Sequence, residues 1–137
     1  MKDLLIHLRA MQLFAHSCHN LVDGAPFHQD HEFFGAAYPA YEADYDSVAE
    51  RCIGLHGEEY LKLENLVAGA AIKLKGAPST GVKENSTFYQ YLLQMEQELC
   101  TIVQGMLAGA SEGTRQLLGD ICNLSEMRQY KIKQRLK

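Results

Sequence analysis

Four of the six histidines in this 137-residue chain fall in two His-x-x-His groups, His16-Ser-Cys-His19 and His28-Gln-Asp-His31. Residues three apart share a helix face, so each pair can present two imidazoles to one cation. A carboxylate pair follows in Asp46-Ser-Val-Ala-Glu50, four apart and stacked on one face in the same way. Imidazole with carboxylate is a donor set for divalent cations such as Fe(II) or Zn(II). Each group by itself also fits a solvated helix surface, and Glu42 and Asp44 offer an ordinary exposed acidic alternative. Asp46 and Glu50 differ in lying beside the apolar Tyr45, Val48 and Ala49, which points to a seam.

Spacing limits how these groups can combine. His31 and Asp46 lie fifteen residues apart on what reads as one helix, or roughly 22 Å at about 1.5 Å per residue. No single ion reaches both within one chain. A site that uses His19, His31, Asp46 and Glu50 together must be assembled between two copies, and a two-fold interface would give two equivalent sites. A di-iron centre inside one bundle is a poor fit, because it calls for Glu-x-x-His and no Glu stands three residues before a His.

The elements that would position these side chains are punctuated by Gly and Pro. Helical spacing runs from about Lys2 to Val22 and stops at Asp23-Gly-Ala-Pro26. A second helix is predicted over about Phe27 to Leu55, with Pro39 expected to kink it or shorten its start. Glu58 to Leu74 reads as a shorter amphipathic helix, followed by a loop through Gly81. Ser86 to Ala108 is strongly periodic, and a last helix follows the turn at 109–113, with Leu117, Leu118, Ile121, Leu124 and Tyr130 on one side. The Tyr38, Tyr41, Tyr45 stripe is expected in the core or an interface, and the basic Arg128–Lys137 segment to complement a helix C-terminus on a solvated face. Together these predict an all-α, single-domain chain over residues 1–137, a four-helix bundle with a short extra helix between its second and third long helices.

Composition excludes several classes. With 47% hydrophobic and 22% charged residues and no apolar run of eighteen, no membrane-spanning helix is expected. The Met1–Arg9 segment carries charge where a signal peptide would be apolar, so a cytoplasmic protein is expected. Cys18, Cys52, Cys100 and Cys122 form no C-x-x-C pair and sit in apolar patterns, as buried free thiols do. A net charge of −4 disfavours DNA binding by the surface as a whole.

The spacings resemble the Dps family of miniferritins, in the ferritin-like superfamily. The matching text is His19-Asn-Leu-Val-Asp-Gly-Ala-Pro-Phe27, then His31-Glu32, then Asp46-Ser-Val-Ala-Glu50-Arg51, then Gly54-Leu-His-Gly57, and the helix lengths agree over essentially the whole chain. The resemblance implies a homo-oligomer, a dodecamer built from two-fold dimers, that oxidises Fe(II) with peroxide or dioxygen and stores the ferric mineral. It implies His19 and His31 from one subunit, Asp46 and Glu50 from its neighbour, and Glu50 as the bridge between two irons. Many members also coat DNA, which is disfavoured here because the Lys-rich N-terminal extension of some members has no counterpart. Two departures stand out: Asn20 where an aromatic is common, and Gly35 where a further acid stands. His16, His28 or Asp30 would then be auxiliary ligands, and zinc the alternative to iron.

Overall fold

The computed structural model describes all residues, 1–137. Five helices follow in order: α1 (Lys2–Leu21), α2 (Phe27–His56), α3 (Leu63–Lys73), α4 (Ser86–Met106) and α5 (Glu112–Arg135), with one 3₁₀ turn at Glu59–Leu61. The four long helices form the bundle, and α3 is the short extra helix between the second and third of them. The chain is all-α, as its periodicity predicts.

Helix α1 is the centre of the bundle. It packs on α2, α3 and α4, and for that reason it is apolar on more than one face: Leu4, Leu5, Leu8, Ala10, Met11 and Ala15 are all fully enclosed. Phe34, Tyr41, Val48 and Cys52 from α2 meet it, and Phe88, Leu92 and Leu99 from α4 close the core with Leu118, Ile121 and Ile132 from α5. At the end of α2, Gly57 takes φ +81°, a conformation that costs a side-chain-bearing residue, and its N–H still reaches the Ile53 carbonyl. Ser111 starts α5 by accepting the Thr114 N–H at 3.2 Å.

Pro39 does not shorten α2, which runs thirty residues without interruption. What the proline removes is one hydrogen bond, the one that the Gly35 carbonyl would otherwise accept. Packing on either side outweighs that loss: Phe34, Ala37, Tyr41 and Tyr45 are all buried.

Two buried ion pairs bind the outer layers together. The carboxylate of Asp30, near the start of α2, meets the Arg135 guanidinium at the end of α5 through two bonds of 3.0 and 3.1 Å. It also accepts from Tyr89 Oη at 2.7 Å and Asn85 Nδ2 at 2.9 Å. Glu96 in α4, wholly enclosed, accepts from Arg128 Nε at 2.5 Å, Ser125 Oγ at 2.6 Å and the Tyr41 hydroxyl. Arg128 and Arg135 are thus drawn into the fold, which corrects the expectation that the basic C-terminal segment is a solvated face. Leu124 and Tyr130 depart from expectation the other way: both are exposed, because the buried stripe of α5 passes through polar Thr114, Ser125, Arg128 and Arg135.

The cysteines are free, with Cys18, Cys52 and Cys100 buried and Cys122 half-buried. No helix is long and apolar enough to cross a membrane.

Candidate metal centre

The short connection between α1 and α2 brings His19 and His31 face to face. His19 sits in the last turn of α1, where carbonyls lack helical partners. The N–H that would have served the His19 carbonyl belongs to Asp23, and it donates to Asn85 Oδ1 at 3.2 Å. The ring of His31 supplies the replacement, its Nδ1 lying 2.7 Å from the His19 carbonyl oxygen. The bond is reciprocated: His19 Nδ1 lies 2.8 Å from the His31 carbonyl oxygen. The two rings stack with centroids 3.7 Å apart and planes 21° from parallel.

This pairing fixes the chemistry of both imidazoles. A carbonyl only accepts, so each Nδ1 carries the hydrogen, and in the neutral ring each Nε2 keeps its lone pair. Neither Nε2 has a hydrogen-bond partner. A histidine held by Nδ1–H on a backbone carbonyl, with Nε2 free, is the arrangement that raises ligand basicity and fixes the ring in metal sites. Phe27 covers the other side of His31 at 4.9 Å, 24° from parallel.

The remaining expected residues fall into three environments. His16 is exposed and stacks on Tyr38, 4.0 Å between centroids and 9° from parallel, with its ring 6.5 Å from that of His19. His28 is exposed and lies edge-on to Phe27. Asp30 cannot serve as an auxiliary ligand in this arrangement, because both its oxygens are committed to Arg135, Tyr89 and Asn85. Those partners hold its carboxyl below the ordinary range although burial pushes the other way.

Asp46 and Glu50 are exposed on α2. With α2 unbroken from Phe27 to His56, they stay roughly 22 Å or more along the axis from His31. Accordingly, no three His, Cys, Asp or Glu side chains of one chain converge on a common point. Asp44 is not the exposed acid it was expected to be. It is half-buried, its Oδ2 is shielded without a partner, and burial pushes its carboxyl up to about 6.

Gly35 was legible only as the place of a missing acid. A Cβ built there would fall 2.9 Å from His19 Cε1 and 3.0 Å from His19 Nδ1. The imidazole occupies the space that any side chain at 35 would need. A glycine in mid-helix, one turn from a histidine, is the signal the sequence carried for this.

No family model matches the chain. Over 133 residues it is 28% identical to a nutrient stress-induced DNA-binding protein of Nostoc sp. (strain PCC 7120), covering 94% of this chain and 71% of that protein. The likeness is distant. It covers nearly the whole chain, and that protein's name records DNA binding and induction by nutrient stress.

Proposed function

We propose that this chain is a subunit of a Dps-like assembly that oxidises Fe(II) at sites shared between two copies, with peroxide as oxidant, and stores the ferric product. One observation carries the reading: the reciprocal bonding of His19 and His31, which leaves two Nε2 lone pairs at one place in the chain and no third donor. Half a site calls for another half. Asp46 and Glu50, exposed and too far along α2 to serve their own chain, are the carboxylates that a two-fold neighbour would contribute.

Exposed apolar residues support self-association. Leu63, Val67 and Ile72 of α3 are 74%, 61% and 75% exposed, and Ile53 and Leu55 at the end of α2 are about half exposed. A short helix in water that keeps three large aliphatics outward is a surface awaiting cover.

In the shared site, His19 and His31 would hold iron as neutral donors while Asp46 and Glu50 balance its charge, Glu50 reaching two ions. Peroxide takes one electron from each of two Fe(II) and, with two protons, leaves as water. Carboxylates stabilise the Fe(III) that results more than the Fe(II) that enters, which favours the forward direction.

The test is ferric formation, followed by its near-ultraviolet absorbance, after mixing the protein with Fe(II) and peroxide. His31→Ala and Asp46→Ala are each expected to slow it by about tenfold or more. Unchanged rates in both variants would overturn the assignment.

A second reading, protection of DNA, is favoured by the name of the Nostoc relative. It predicts a salt-sensitive mobility shift of duplex DNA. Commitment of Arg128 and Arg135 to buried carboxylates leaves Lys131, Lys133 and Lys137 as the exposed cations of the C-terminal segment, a thin basis for phosphate binding.

A further inference from the structure

Gly35 lies inside α2, one turn beyond His31, and it is not among the glycines with positive φ. Nothing in its own backbone requires glycine. In a helix interior glycine is unfavourable relative to alanine, because it loses more freedom on folding and packs nothing. The three nearest atoms that a Cβ at 35 would meet all belong to one side chain, the imidazole of His19. At 2.9 and 3.0 Å the approach is closer than van der Waals contact permits. The ring is not free to give way, since its Nδ1–H is bonded to the His31 carbonyl and its face is stacked on the His31 ring.

We propose that Gly35 is a positioning residue that sets the ligand class of this half-site. By having no side chain it leaves free the space that the His19 imidazole fills. The chain then offers a nitrogen-only pair, His19 Nε2 and His31 Nε2. Imidazole nitrogens favour a late divalent cation, Zn(II) or Co(II), over Fe(II), and the oxygen donors of the shared site are left to the neighbour's Asp46 and Glu50. This rests on reading His19 and His31 as metal ligands. It adds to that reading which residue shapes the pair and which cations enter first.

The experiment is calorimetric titration of Zn(II) into the full-length assembled protein, in the native form and in Gly35→Ala, His19→Ala and the double variant. Co(II) absorption in the visible reports the coordination shell in parallel. The native protein is expected to bind about one Zn(II) per chain. Gly35→Ala is expected to weaken Zn(II) by about tenfold or more and to alter the Co(II) spectrum, with helix content unchanged. In the His19→Ala background the alanine at 35 is expected to do nothing further, since the group it would strike is gone.

Zn(II) binding by Gly35→Ala at native affinity, with binding lost in His19→Ala, would overturn the role of Gly35 and leave the ligand pair standing. Native binding by His19→Ala, or none by the native protein, would overturn the ligand pair and the inference with it. Should Gly35→Ala alone fail to fold, the double variant must fold, and its failure to do so would equally overturn the proposal.

Discussion

His19 and His31 illustrate how a backbone accident at a helix end becomes a chemical feature. Asp23 turns its N–H to Asn85, the His19 carbonyl is left over, and the His31 ring satisfies it at 2.7 Å. The same bond selects the tautomer that keeps Nε2 available. A different histidine shows the opposite case. His7 is fully enclosed, its Nε2 hydrogen-bonded to the Met95 carbonyl at 2.8 Å and its Nδ1 without a partner. Burial, helped by the charge of Lys73, holds its pKa below the ordinary 6.5, outweighing the bond to Met95 and the charges of Glu98 and Glu96 nearby. The unfolded chain therefore binds more protons than the folded one as the pH drops through 6.5, so the group's contribution to stability is lost on acidification. His7→Leu is expected to leave stability at about pH 7.5 nearly unchanged and to flatten its decline toward about pH 5, measured by urea unfolding. An unaltered slope would show that His7 titrates alike in the folded and unfolded chains.

Among the elements, α5 teaches most about what could be read in advance. The limits of the four long helices were legible to within about two residues, because Gly and Pro break a 3.6-residue period cleanly, whereas α3 begins at Leu63 and not Glu58, the turn before it being 3₁₀. The inward face of α5 was not, since it runs through Thr114, Ser125, Arg128 and Arg135, and a hydrophobic count assigns such residues to solvent. The partners of the last three, Glu96 and Asp30, sit on other helices and give no local sign. Removing one partner of such a pair leaves a buried charge alone. Asp30→Ala is accordingly expected to cost about 3 kcal/mol in urea unfolding, whereas exposed Glu32→Ala should cost less than about 0.5 kcal/mol. Equal effects would mean that the Asp30–Arg135 pair does not hold the start of α2 to the end of α5. Pro39 does not shorten the start of α2, because the buried residues on both sides keep the helix continuous. For the metal centre, the ligand types and the impossibility of an intrachain site were legible from spacing alone. The seat that Gly35 makes for His19 depends on the approach of two helices, which no linear pattern records.

At the scale of the whole molecule, the exposed aliphatics of α3 and the half-site at the α1–α2 turn make one statement together: the chain carries both an uncovered surface and an incomplete donor set. Self-association is expected to depend on the former, so Leu63→Glu with Ile72→Glu should shift the sedimentation profile toward the monomer. Ferric formation should fall in the same variant although no ligand is altered. A monomer that retains full activity would separate function from assembly. The most direct test of the shared site is complementation. Chains carrying His31→Ala and chains carrying Asp46→Ala are each expected to be inactive alone. Co-refolded in equal amounts, half of the two-fold pairs are mixed, and in each of these one site keeps both halves. The prediction is recovery of about a quarter of native Fe(II) oxidation. No activity above that of the separate variants would contradict a site built between two subunits.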